Sequence, residues 1–172
     1  DQLIALADRE IGVAYYTPEA IMSQIQRSSW KGKQLSYLAF EGNDLIGFRL
    51  TSAPGKWEHG RGLGLSPHLW PHELADSAYF QSCFVSASFM GQGIGKELSL
   101  ACIETLRNES IPQVIAHSWK ESPHNSSFRY LTKLGFKPVI EYPDYWIEVD
   151  YECSLDGYPC RCTAIEMVLT LA

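Results

Sequence analysis

No apolar run in this chain approaches the roughly 20 residues that a membrane-crossing helix needs. Nor does a basic stretch followed by an apolar one mark a secretory leader. Both absences point to an aqueous compartment, and the expectation is a cytoplasmic protein with no membrane partner. Basic residues are also in short supply: 14 Lys and Arg stand against 20 Asp and Glu, a formal net charge of −6. Nucleic acid recruits a basic face, so it is not expected as a partner, whereas a cationic acceptor such as an amine suits this balance. Five cysteines, an odd count scattered along the chain, do not read as the framework of a disulfide-stapled secreted domain. The chain opens at Asp1 without Met, which reads as processing or as loss of a native beginning.

What is present suits one domain. A length of 172 residues with 45% hydrophobic content is enough for a single core, and the expected state is a monomer or homodimer. The organising stretch is Phe80 to Glu109. An apolar strand ending in Phe84-Val85 leads through a polar link to Phe89-Met90-Gly91-Gln92-Gly93-Ile94-Gly95-Lys96. Ile94, Leu98, Ala101, Cys102, Thr105 and Leu106 then recur at helical spacing. Strand, glycine-rich turn and helix follow in that order. Glycines there let a ligand approach the backbone, and the free N–H groups of a helix's first turn point into the gap. Such a turn accepts a phosphate or pyrophosphate. It is not a P-loop, because Lys96 is followed by Glu97, and its Gly-x-Gly-x-Gly spacing is not the dinucleotide fingerprint.

Elsewhere, Leu3, Ile4, Leu6, Ala7 and Ile11 form an apolar stripe on a first helix that Gly12 stops. Thr17-Pro18 caps and opens a second, with Ile21, Met22 and Ile25 as its apolar stripe. Leu35–Phe40 and Leu45–Thr51 read as a hairpin about Gly42-Asn43-Asp44. Residues 52–77 are an irregular insert, expected to be a mobile loop. Its Gly60-Arg61-Gly62-Leu63-Gly64 run copies a phosphate loop, but Pro67 follows and no helix terminus supplies N–H groups. Gln113–Ser118 is a strand, Phe128, Leu131 and Leu134 line a short helix capped by Gly135, and Ala164–Leu171 is a last strand.

Two of these stretches, in this order, resemble the GNAT superfamily of acyl-CoA-dependent N-acyltransferases. Gly93-Ile94-Gly95 fits the family's pyrophosphate loop, with Met90 standing where Gln or Arg is usual, and Lys133-Leu134-Gly135-Phe136 fits its second motif. The resemblance covers Leu35 to Ile140, with the last strand added. It implies an α/β fold with a mixed, mostly antiparallel sheet, splayed where the cofactor sits. It also implies acetyl-CoA held by Phe84, Val85, Met90, Gly91, Gln92, Gly93, Ile94, Gly95 and Lys96, with Asn125 and Phe128, and transfer of the acetyl group to a small-molecule or peptide amine. The alternative is a non-catalytic acyl-CoA sensor or interaction protein on the same fold. The family's usual acid, a Tyr, is replaced by Leu131, and the neighbouring Tyr130 is expected to point about 100° away.

An amine must lose a proton to react, so a base is needed. His117, on the strand after the central helix, is the candidate because His titrates near neutrality, with Glu58 and His59 in the insert as alternatives. The remaining feature lies in residues 150–163, where Cys153, Asp156, Cys160 and Cys162 fall together. This loop is read as a peripheral appendage without a metal. The alternatives are a redox-labile cysteine pair or a zinc site made by those four residues, with Asp156 where a knuckle would place a second Cys.

Overall fold

The computed structural model describes residues 1–171. Its first helix, α1 (Gln2–Glu10), leads into a two-residue strand β1 (Gly12–Val13), and α2 (Pro18–Arg27) follows. The expected cap is in place: Thr17 is extended, its hydroxyl accepts from the Ala20 N–H at 3.2 Å, and Pro18 opens the helix where no N–H is needed. A small ribbon of β2 (Ser29–Trp30) and β3 (Lys33–Gln34) precedes the hairpin of β4 (Tyr37–Glu41) and β5 (Asp44–Ser52). After the insert come β6 (Ser77–Val85), α3 (Ile94–Asn108), β7 (Gln113–Trp119), α4 (Ser126–Lys133), β8 (Lys137–Tyr142), β9 (Glu152–Cys153) and β10 (Ala164–Thr170).

Six strands form one sheet in the order β4-β5-β6-β7-β10-β8. Every pair is antiparallel except β6 with β7. Alternation along the strands divides the sheet into two faces. Phe80, Val114, Ala116, Ile165 and Met167 pack with Cys102, Ile103 and Leu106 of α3 and Leu131 of α4. On the other face, Leu45, Phe48, Leu50 and Ala164 meet Leu6 and Ala7 of α1. Tyr79 and Ile115 meet Trp57 and Trp70 of the insert.

Three expectations are corrected. Met22 and Ile25 do not form the buried stripe of α2, being 58% and 47% exposed. Gln24 is buried instead, because its amide bonds the Ser52 hydroxyl at 3.2 Å and satisfies both groups. The insert is not a free loop: it holds two short 3₁₀ turns, Pro67–Leu69 and Leu74–Asp76, and is anchored to the sheet. Trp57 donates to the Ser77 carbonyl at 2.7 Å, Leu63 N–H to the Tyr145 carbonyl at 2.7 Å, and Gln113 bonds the His72 backbone on both sides. Its glycines are there for close packing; a Cβ on Gly62 would run into the Tyr145 backbone, and one on Gly64 into the Tyr142 ring. The cysteine loop is not an appendage either, since Cys153, Cys160 and Cys162 are buried in the cluster that contains Leu6, Tyr15 and Tyr145.

Candidate active site

The pairing of β6 with β7 runs from Ser77↔Gln113 to Phe80↔Ala116 and ends there. Toward β5, Ser82 faces Leu50 and Phe80 faces Thr51, so Gln81 is an extra residue, a β-bulge. The bulge bends β6 away from β7 at the point where their ladder stops. From Gln81 to Val85 the edge of β6 on that side has no strand beside it among the described residues, which leaves its backbone groups for another partner. The family resemblance implied strands that diverge there, and they do.

At the end of this open edge stands the glycine turn. Gly91 and Gly93 have φ of +80° and +85°, in the left-handed region, and a Cβ built on either meets nothing within 4 Å. Gly93 is the residue before α3, and no side chain caps that helix. The N–H groups of its first turn therefore face open space with the positive end of the helix dipole behind them. Gly95 packs more closely, a Cβ there lying 3.5 Å from Val85 and 3.7 Å from the Cys83 sulfur. Met90, Gly91, Gln92, Gly93 and Lys96 are exposed, while Phe84, Val85 and Ile94 are half-buried beside them. Asn125 and Phe128 line a cleft of about 420 Å³ with Lys120 and Pro138 to Glu141.

Tyr130 does not point away from this region. Its hydroxyl donates to the Gly95 carbonyl at 2.7 Å, contacts Ser99, and accepts from Arg49 Nη2 at 3.4 Å. Burial, set against the attraction of Arg49, pushes its pKa up to about 12, so it is a protonated phenol at the first turn of α3. Arg49 is itself 3% exposed, held by Ser99 at 3.0 Å and lying over the Phe80 ring at 4.1 Å. Leu131, the position of the family's acid, is in the core.

On the opposite face a cleft of about 950 Å³ opens between the insert and the sheet, lined by Glu58, His59, Gly60, Arg61, Glu148 and Gln81 among others. Gln81 thus touches the cleft at the same residue where the strands part. Glu58 and His59 are exposed in it. His117 is not: its side chain is 1% exposed, beneath the insert. Its Nδ1 lies 2.9 Å from the Tyr79 hydroxyl, and its Nε2 lies 3.5 Å from Glu166 Oε2, an ion-pair separation rather than a well-formed hydrogen bond. The ring stacks on Tyr145, centroids 4.5 Å apart at 23°.

Glu166 faces His117 directly across β10 and β7. It accepts from the Ser66 N–H at 3.0 Å and from the Trp70 indole N–H at 2.8 Å. Burial raises its pKa, but the contacts with His117, Trp70 and Ser66 outweigh that and hold it below the usual carboxylate value. For His117, burial outweighs the Glu166 charge and the pKa is lowered. Near neutrality the pair is a carboxylate and a neutral imidazole. The consistent tautomer has Nε2–H toward Glu166 and Nδ1 accepting from Tyr79, an assignment made from the partners of each nitrogen. The Tyr79 hydroxyl lies directly under Gly60, where a Cβ would collide with it and with the Tyr145 hydroxyl.

Sequence reading missed Tyr79, Gln81 and Glu166. Glu166 had a signal, being the only charge in the apolar run Ala164 to Leu171. The bulge had none, since it depends on register with another strand.

A sequence model of the acetyltransferase (GNAT) family matches residues 8–136. No curated protein sequence matched the chain. Among solved structures, the ribosomal-protein-S18-alanine N-acetyltransferase of Escherichia coli superposes with a TM-score of 0.66 at 14% identity, over 100% of this chain and 88% of that one. Naa50 of Arabidopsis thaliana, in complex with the bisubstrate analogue CoA-Ac-MVNAL, gives 0.67 at 14% identity over 98% and 89%. A GNAT family acetyltransferase of Elizabethkingia anophelis with acetyl-CoA bound gives 0.61 at 16% identity over 90% and 83%.

Proposed function

This chain belongs to the GNAT acetyltransferase family, and from that premise we propose that it moves an acetyl group from acetyl-CoA to an amine held in the cleft beneath residues 55–64. The observation that carries the reading is Gln81: the residue that opens the strand pair on the cofactor side also lines the cleft on the acceptor side. Two reactants approaching from opposite faces would meet there.

The residues present fit the cosubstrate. The uncapped first turn of α3 with the open space at Gly91 and Gly93 suits a diphosphate, and the unpaired edge of β6 from Gln81 to Val85 offers backbone hydrogen bonds to an extended amide chain. When bound, acetyl-CoA supplies an activated acyl thioester. Tyr130, a phenol kept protonated beside Gly95 and Cys83, is our candidate proton donor on the α3 side in place of the family's usual residue.

On the acceptor side, Glu58 and Glu148 give the cleft anionic groups for a cationic amine, and Arg27 and Arg61 offer contacts to an acceptor's carbonyl or carboxylate. The amine's proton leaves through Tyr79 to His117. The imidazole is already neutral, Glu166 stabilises it once charged, and Tyr79 lies on the cleft face of β6 just before the bulge. Gly60, which lines the cleft, lies against the hydroxyls of Tyr79 and Tyr145.

Acetyl-CoA turnover against a panel of free amines and peptide N-termini, using purified protein, tests the reading. Amine-dependent release of CoA is the expected result. Tight acetyl-CoA binding with no turnover on any amine would instead favour the non-catalytic sensor.

A further inference from the structure

Three of the five cysteines are gathered at one point outside the site just described. Cys153, Cys160 and Cys162 are 5%, 0% and 2% exposed, and all are free thiols. Their sulfurs and a carboxylate oxygen of Asp156 lie within 4.8 Å of one another. The chain brings them together by local means. Cys153 and Gly157 exchange both backbone hydrogen bonds at 3.0 Å, closing a tight turn that carries Asp156 back, with Gly157 at φ +74°. The Arg161 N–H then donates to Asp156 Oδ2 at 2.9 Å, and the Cys162 sulfur lies 3.6 Å from the same oxygen. Beside Cys162 stands the Trp119 indole N–H, buried and without a full hydrogen bond of its own.

We propose that Cys153, Asp156, Cys160 and Cys162 bind one Zn²⁺ ion in a closed, structural site. A tetrahedral zinc with Zn–S near 2.3 Å sets its sulfurs about 3.8 Å apart, so a small contraction of the observed cluster completes the coordination shell. Thiolate donors select zinc over the hard cations, and one carboxylate oxygen is an acceptable fourth ligand. Without a cation, thiolates this close would repel one another in their buried setting, while Asp156 reaches them from the exposed side. With one, the remaining negative charge is met by the Arg161 and Trp119 N–H groups, and an indole N–H that lacks an acceptor gains a thiolate. A disulfide explains the cluster less well. Cys160 and Cys162 flank a single residue, which strains a bond between them, and a bridge to Cys153 leaves the converging Asp156 without a purpose.

The site has a structural consequence at the acceptor cleft. The Cys162 carbonyl accepts from the Tyr145 N–H at 3.1 Å, and Tyr145 is the ring stacked on His117. Cys153 also pairs with Gly12, so the same knuckle fastens β1 to β9. The ion holds the back wall of the cleft and does no chemistry itself.

Element analysis of protein purified from zinc-replete cells without chelator tests this. About one zinc per chain is expected, retained in Cys102→Ser and lost when Cys153, Cys160 and Cys162 are all replaced by Ser. Because that triple variant can fail to fold, two measurements use the unaltered chain. Titrating the thiols with a mercurial should release zinc to a chelating dye in step with thiol modification. Reconstitution with Co²⁺ should give the thiolate charge-transfer and intense visible bands of tetrahedral cobalt. Protein that carries no metal and takes up neither Zn²⁺ nor Co²⁺ would overturn the proposal, as would a native disulfide among these cysteines by mass spectrometry or zinc retained in a folded triple variant. Stoichiometric iron in place of zinc would overturn the choice of ion.

Discussion

The hydroxyl of Tyr79 lies 2.9 Å from Nδ1 of His117, joining β6 to β7 across the last stretch before the two strands part. Neither side chain is free to rotate, since Tyr79 stacks on Trp57 and His117 on Tyr145. With Glu166 on the far side of the imidazole, a proton reaching Tyr79 has a defined way onward.

This relay sets a pH dependence. A lowered pKa means His117 becomes neutral, and able to accept a proton, below the ordinary His value of about 6.5. The rate should rise with pH through that depressed value and then level. His117→Asn should remove this acid limb and slow turnover about 10²-fold or more, with acetyl-CoA binding unchanged by calorimetry. Glu58→Gln should keep the limb. If His117→Asn retains it, the relay is not the proton route.

Gly60 offers a subtler probe of the same chain of groups. An added methyl would press on the hydroxyls of both Tyr79 and Tyr145. Gly60→Ala is therefore expected to lower kcat more than it raises the KM for acetyl-CoA, because the glycine turn lies on the other face. Steady-state kinetics with both substrates varied would show it; equal losses in binding of the cosubstrate would contradict the placement.

Stability should fall on acidification, in two stages. His117 has a lowered pKa in the folded chain, so the unfolded chain binds that proton first. Its contribution is full above about pH 6.5 and is lost as pH falls through the depressed value. Glu166, also lowered, contributes fully above about pH 4.3 and loses its share further into acid. Urea midpoints measured from pH 8 to 4 should show both stages, and His117→Phe should lack the first.

Removing the Glu166 carboxylate should loosen the insert. Glu166→Ala leaves the Ser66 N–H and the Trp70 indole N–H without an acceptor in a buried setting, at about 1–3 kcal/mol for each donor left unpaired. Amide hydrogen exchange should accelerate across residues 64–72 while α3 stays protected. An unchanged exchange pattern would mean the apolar contacts of Trp57 and Trp70 hold the insert by themselves.

At the glycine turn, Gly93→Val places a β-branched residue at φ +85°, where L residues are strained by about 1–2 kcal/mol, and fills the space open to a diphosphate. Acetyl-CoA affinity should drop on the order of tenfold or more, about 1.4 kcal/mol, in a chain that remains folded by circular dichroism. Met90→Arg, at an exposed position beside the turn, should leave affinity equal or improved. Unchanged calorimetric affinity in folded Gly93→Val would remove the turn from the cofactor site.

Much of this protein was written in short stretches of sequence, because the forces that fix them act over a few residues. The Thr17-Pro18 cap, the left-handed Gly93 before α3, the hairpin at Gly42-Asn43 and the cap at Gly135 follow from local sterics and from backbone groups that need partners nearby. The order of strand, glycine turn and helix from β6 to α3 was therefore legible nearly to the residue. What tertiary structure alone decided is which groups meet. Period predicted that α2 buries Met22 and Ile25, but Gln24 found Ser52 and went inside. Nothing local distinguishes Gln81 from its neighbours, since a bulge is a mismatch of register between β5 and β6. Glu166 faces His117 only because β10 inserts between β7 and β8. The cysteines lay close in sequence, yet whether their sulfurs converged or scattered was set by the turn at Gly157 and by burial against Tyr15 and Tyr145. Sequence fixes what each residue can do; the pairing of distant strands fixes what it does it with.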